Sequence, residues 1–288
     1  VHSATMSSVL KSRRIAVLPL DIPDLAGELA LIDAETAPDE YDAFTFGRWV
    51  SYVLANESGA QNDSAFRPHS GELTTTDLGD RLPGIMAFVR RHFTTTALQW
   101  VRIFGLQDGI LAPHRDFLEF DRPGVRVQVP LRTSEGSLHS ENSTVYHLRA
   151  GEVWQIQTVD PHSAYSAPGP ARLSLCLDFA GDGFDPERDI HHTIPATDDV
   201  RIMRRPPISE QEIAGLVDTL GPLTRESAKS IFRALAITHF ERASDATDVF
   251  TWFKRAATRC GDEKLIALAE DFRVFCLEKR AWRESFTW

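Results

Sequence analysis

From residue 96 to residue 180 the chain alternates short apolar runs with turn signals. The runs are Ala97–Phe104, Ile110–Ala112, Val125–Leu131, Thr144–Leu148, Val153–Thr158 and Leu173–Phe179. Breaks fall at Gly105, Asp108-Gly109, Pro123-Gly124, Glu135-Gly136, Ala150-Gly151 and Pro168-Gly169-Pro170. Runs this short are strand-length rather than helix-length, and turn residues at such regular spacing predict an antiparallel sandwich or barrel. A helical barrel or bundle is excluded for this stretch.

Around it the pattern differs. Residues 13–20 read as a first strand, Pro23 and Asp24 open a short helix to about Ile32, residues 44–54 are rich in β-formers, 56–71 read as a loop, and Leu82–Phe93 reads as a helix. Pro195, Pro206 and Pro207 mark a linker near 193–208. Beyond it, Ser209-Glu-Gln-Glu212 is a capping-box start, and further helices are expected over about 224–240, 245–259 and 262–280, with Gly261 as a terminating glycine. The expectation is a mainly β domain over 1–200 and an α-helical region over 201–288. Leu235, Phe250, Phe253, Phe272 and Phe275 recur there at near-helical spacing. They are expected to pack against the β domain, with a homodimer face as the alternative.

Composition narrows the function. A formal net charge of −10 argues against a nucleic-acid backbone or an anionic membrane as partner. Cys176, Cys260 and Cys276 show no CxxC spacing and suit free thiols in a reducing compartment. No run reaches the roughly 18 apolar residues of a membrane span, and the first residues lack the order of a signal peptide; Met6 is a candidate natural start. These features predict a cytoplasmic protein.

The candidate chemistry lies in His114-Arg115-Asp116. On a strand, residues two apart share a face, so both side chains reach one ion. His162 would complete a 2-His-1-carboxylate set, which leaves open positions on Fe(II). Arg172 and Ser174 follow on the next strand, and an arginine fork suits a carboxylate. Three nitrogen and oxygen ligands with an open position also describe catalytic zinc, with Glu119 or Glu141 as the general base of a hydrolase. Partly buried histidines with local hydrogen bonds, or a barrel that binds a carboxylate without metal, are the remaining readings. His139-Ser-Glu141 repeats the His-x-acid pattern; His239-Phe-Glu241 falls in a predicted helix, where such residues diverge.

Pro-His-Arg-Asp-Phe (113–117), Gly-Glu-Val-Trp (151–154), His-Ser-Ala (162–164) and Arg-x-Ser-Leu-Cys-x-Asp-Phe (172–179) together resemble the bacterial Fe(II)/2-oxoglutarate-dependent hydroxylases of free L-proline, above all the cis-3 type, within the aspartyl/asparaginyl β-hydroxylase group. The resemblance implies a double-stranded β-helix (jelly roll) with flanking helices, and a dioxygenase using Fe(II), 2-oxoglutarate and O2, with ascorbate as reductant in vitro. It implies His114, Asp116 and His162 as iron ligands and Arg172, assisted by Ser174, on the distal carboxylate of 2-oxoglutarate. It further implies Arg126 and Arg102 on carboxylates, with Gln128 on the face of Arg126 and His139 close behind the cofactor. Differences from the family at Gln155, Gln157 and Asp160-Pro161 fall where the substrate pocket is expected. They admit a ring homologue such as L-pipecolic acid, in a secondary-metabolite or antibiotic pathway.

Overall fold

The computed structural model describes residues 10–36, 43–63, 72–116, 124–181, 183–280 and 284–288. Met6, Phe117, Glu119, Asp121, Pro123 and part of the loop read over 56–71 lie outside the described residues. In chain order the first half holds β1 (Arg13–Val17), α1 (Leu25–Ala34), β2 (Thr45–Asn56), β3 (Thr74–Thr75), α2 (Asp77–Asp80), α3 (Pro83–His92) and β4 (Leu98–Leu111). The centre is all strand: β5 (Gly124–Arg132), β6 (Ser137–Glu141), β7 (Thr144–His147), β8 (Glu152–Ile156), β9 (His162–Ser166) and β10 (Arg172–Ala180). Then come α4 (Pro186–Asp189), β11 (Arg201–Ile202), α5 (Glu210–Thr219), α6 (Ala228–Glu241), α7 (Asp248–Cys260) and α8 (Glu263–Leu277).

Among the described residues the strands form one antiparallel sheet in the order β1-β8-β5-β10-β4-β9-β6-β7-β11, with β2 on β4 and β3 on β2. Side-chain alternation sorts its two faces. Leu173, Leu175, Leu177 and Phe179 of β10, with Val127, Val129 and Leu131 of β5, join an apolar cluster with Leu29 and Ile32 of α1 and Ile85, Met86, Phe88 and Val89 of α3. The opposite positions, Arg172, Ser174, Cys176 and Asp178, are buried on the other face with Arg126, Gln128 and Arg102. One face of the sheet is therefore an ordinary core, and the other is a buried polar interior.

The helical region covers another part of the sheet. Ile213, Phe232, Leu235, Phe250, Phe253 and Phe272 share a cluster with Phe44, Phe46, Ile110, Ala112, Leu138 and Val145 of the sheet and its edges. Ser209 caps α5 with both halves of the expected box, its side chain accepting from Glu212 N–H and Glu212 reaching back to Ser209 N–H.

Three expectations need correction. Ala97–Phe104 and Ile110–Ala112 are not separate strands but one, β4. Gly105 serves close packing there, since a Cβ would sit 3.3 Å from Leu173, and Gly109 lies so near β2 that a Cβ would be 2.6 Å from the Phe46 carbonyl oxygen. β6 and β9 were not among the apolar runs because their residues are largely polar and turn into the interior. The linker read over 193–208 is partly docked, with Arg201 and Ile202 pairing β7.

Candidate metal centre

His114 and His162 stand directly opposite each other in an isolated antiparallel bridge and exchange both backbone hydrogen bonds, at 2.9 Å each way. The ring centroids are 4.3 Å apart. His114 and Asp116 do not share a face of a regular strand, as their spacing suggested; they lie just beyond the end of β4. The bridge to β9 fixes the first, and donation from Asp116 N–H to the Thr158 carbonyl (2.9 Å) fixes the second. Asp116 Oδ1 comes to 3.4 Å from His114 Nε2, and Oδ2 to 3.8 Å from His162 Nε2. One ligand atom from each residue lies within 4.8 Å of the others.

The tautomers suit a cation. His114 Nδ1 lies 2.8 Å from the Ala112 carbonyl oxygen and His162 Nδ1 lies 3.0 Å from that of Asp160. A carbonyl only accepts, so each Nδ1 carries the proton and each Nε2 keeps its lone pair. Burial first, then the neighbouring His114, pushes His162 down to about 4, so the His162 ring is neutral at physiological pH. Burial alone would raise Asp116, but the neighbouring His162 and His114 and the charge of Arg126 outweigh it and hold the carboxylate ionised.

The three residues line one cavity with Arg126, Gln128, His139 and Arg172, and with Phe44, Trp49, Phe104, Leu111, Ile156 and Ala164 as apolar wall. Arg172 is 5% exposed, and its Nε and Nη1 have no hydrogen-bond partner among the described residues. Burial lowers its pKa to about 10, which leaves it charged at neutral pH. Ser174 Oγ, Gln128 Oε1 and His139 Nε2 are likewise buried and unpartnered. Burial first, then the charge of Arg172, lowers the His139 pKa, so that ring is neutral. A buried guanidinium beside idle hydrogen-bonding groups is costly unless an anion completes it.

Of the residues singled out in the sequence, Ser174 and Arg102 do not line the cavity. Arg102 donates from Nη2 to Asp178 (2.6 Å), its guanidinium 3.5 Å from the centroid of the Trp100 ring. Arg126 donates from Nη1 to Asp116 (2.7 Å) and from Nε to Asp178 (2.8 Å). Glu141 accepts from Lys11 N–H, Ser12 N–H and Ser12 Oγ, so it is engaged in holding the amino-terminal segment. Residue-by-residue reading missed Asp178, whose signal was an acid on the inward alternation of Arg172 and Ser174. It also missed Arg280, which carries no local signal: Arg280 Nη2 donates to the Arg115 carbonyl (2.9 Å) and lies 4.0 Å from Asp116 Oδ1.

Comparison with known proteins now bears on this site. The family described as L-proline 3-hydroxylase, C-terminal, matches residues 187–284. L-proline cis-3-hydroxylase 2 of Streptomyces sp is 31% identical, over 96% of this chain and 99% of its own. L-proline cis-3-hydroxylase 1 of the same genus is 30% identical over the same shares. The chain belongs to the L-proline 3-hydroxylase family. L-proline cis-4-hydroxylase of Rhizobium meliloti (strain 1021) is 27% identical, over 92% of this chain and 95% of its own.

Within this family the helical region takes on meaning. The stretch the family description matches reaches the His114–Asp116 segment directly, because Arg115 N–H donates to the Cys276 carbonyl of α8 (3.1 Å) while Arg280 donates to the Arg115 carbonyl. Residues 114–116 are thus held by the sheet on one side and by α8 on the other. The donor set of two imidazoles, each bound to a carbonyl through Nδ1, and a carboxylate fits Fe(II), and the idle Arg172 fits a dicarboxylate cosubstrate.

Proposed function

We propose that this hydroxylase depends on Fe(II), 2-oxoglutarate and O2, and hydroxylates an unactivated C–H of a free cyclic imino acid, L-proline or L-pipecolic acid. The observation that carries this is the coexistence, in one cavity, of the His114–Asp116–His162 set with the buried, unpartnered guanidinium of Arg172. On this reading the antiparallel sheet is a double-stranded β-helix and its polar interior is the site.

When bound, iron with its cosubstrate and O2 would supply an oxidant strong enough to take hydrogen from an sp3 carbon. The chain's residues provide position and charge. His114, Asp116 and His162 hold the ion from one side. Arg172 takes the distal carboxylate of 2-oxoglutarate, with Ser174, Gln128 and His139 beside it to complete its hydrogen bonds. Arg126, the substrate candidate that lines the cavity, faces the imino-acid carboxylate, and Arg102 supports it from behind through Asp178. Trp49, Phe104, Leu111, Ile156 and Ala164 bound the space around the ring and keep water from it. A zinc hydrolase using the same ligands lacks support from Glu141, whose carboxylate is engaged by Lys11 and Ser12.

The test is to incubate the protein with Fe(II), ascorbate, 2-oxoglutarate and a panel of free amino acids that includes L-proline and L-pipecolic acid, and to measure succinate. Succinate formed with one cyclic imino acid above the background without substrate supports the proposal and selects the substrate. Succinate at background with every member of the panel rejects free imino acids as the substrate class.

A further inference from the structure

Arg102, Asp178, Arg126 and Asp116 form one continuous buried chain of charge. Asp178 is 0% exposed and accepts from both arginines, Arg102 Nη2 at 2.6 Å on Oδ2 and Arg126 Nε at 2.8 Å on Oδ1. Arg126 then donates from Nη1 to Asp116 Oδ2 at 2.7 Å. The sheet register produces this arrangement. β10 lies between β5 and β4, Asp178 is paired with Arg126 across one ladder and with Trp100 across the other, and Arg102 opposes Cys176 one inward position away.

We propose that Asp178 is a positioning residue for the metal centre: by gripping Arg126 through Nε, it aims Arg126 Nη1 at one oxygen of Asp116 and leaves the other oxygen turned toward His114 for the ion. The inference rests on the metal-site reading proposed above and extends it two residues outward. Three features carry it. A guanidinium is planar, so fixing Nε and one Nη fixes the whole fork. Each member of the chain is at least nine-tenths buried, so no water replaces a lost partner. Arg280 already lies 4.0 Å from Asp116 Oδ1, so removing Asp178 leaves Asp116 as the one carboxylate facing three guanidiniums, those of Arg102, Arg126 and Arg280. Loss of the grip and excess positive charge both act against a bound cation. Partners that orient a metal ligand in this way commonly contribute roughly 10- to 100-fold in metal affinity. Asp178 touches neither ion nor substrate, and Arg102, stacked on Trp100, serves to hold it in place.

The experiment is a Co(II) titration of the full chain without 2-oxoglutarate, followed by the visible d–d absorption of the bound ion. Wild type, Asp178→Asn and Asp116→Asn are compared, with far-UV circular dichroism and thermal melting as checks of folding. Asp178→Asn is expected to bind Co(II) roughly 10- to 100-fold more weakly, with a changed absorption envelope, while its folded spectrum is kept. A purely structural ion pair would lower the melting temperature and leave affinity and spectrum of the folded protein unmoved; that result overturns the proposal. If Asp178→Asn does not fold, Arg126→Lys decides instead. It keeps the charge but gives a single ammonium that cannot fork to both carboxylates. Weakened Co(II) binding supports the proposal and unchanged binding overturns it. Asp116→Asn separates the two levels: unchanged Co(II) binding there removes the metal site itself, whereas loss there with wild-type binding in Asp178→Asn removes only the role of Asp178.

Discussion

Arg172 shows most directly how this protein trades stability for a site. Its side chain is buried, charged and without partners on Nε and Nη1. Such a group destabilises the ligand-free fold. Arg172→Met is therefore expected to raise the melting temperature of the ligand-free protein. The same variant should raise the KM for 2-oxoglutarate by roughly 10- to 100-fold, the range for loss of a charged hydrogen bond, while Co(II) affinity stays at the wild-type value. Unchanged KM would show that the cosubstrate carboxylate lies elsewhere. His239, in α6, makes a second prediction at this scale. Burial first, then the charge of Arg205, lowers it from 6.5 to about 3. Between those values the unfolded chain binds a proton that the folded chain refuses, so stability rises with pH across that window and falls as pH drops through it. In urea midpoints measured over pH 4–6, His239→Gln should flatten the slope by about one proton.

Among the elements, α5 is the simplest to test because its start rests on one local device. Ser209 Oγ accepts from Glu212 N–H, and Glu212 accepts from Ser209 N–H and from Arg242. Ser209→Ala should cost about 1 kcal/mol of unfolding free energy, with no change in Co(II) affinity, since neither Ser209 nor Glu212 lines the cavity of the candidate metal centre. β4 makes the opposite case. Its ends and middle serve different partners: β10 along Leu98–Leu106, β2 along nearly its whole length, and β9 at Gly109 and Ile110. Glycines that read as punctuation in the sequence are here places where neighbouring strands come within contact.

For the molecule as a whole, the helical region and the barrel share one apolar cluster. Phe232 is fully buried, with ring centroids 5.4 Å from Phe46 of β2, 5.3 Å from Phe250 and Phe253 of α7, and 4.8 Å from Phe272 of α8. Phe232→Ala should cost about 3–5 kcal/mol and lower a single unfolding transition rather than split off the helices. Because α8 holds Arg115 between the candidate ligands His114 and Asp116, the same variant should also weaken Co(II) binding. A helical transition that moves alone, with the metal site intact, would show that the two parts fold independently. Among the described residues no helix is long and apolar enough to cross a membrane.

The sequence by itself determined the β character of residues 96–180, the helices after Ser209, and the three residues of the candidate metal set. Those signals are local: a turn residue, a cap or a His-x-Asp spacing acts through neighbours a few positions away. It also placed Arg172 and Ser174 on one face, because strand alternation is a property of a single chain. Only the tertiary structure decided the rest. The pairing of His114 with His162, the position of Asp178 between two arginines, and the reach of Arg280 from the helical tail all depend on which strands lie side by side and where α8 docks. Register and docking are set by packing between distant segments. For the same reason β6 and β9 escaped the apolar pattern: His139 and His162 line the cavity and Glu141 accepts from Lys11 and Ser12, partners that only the folded chain brings to them.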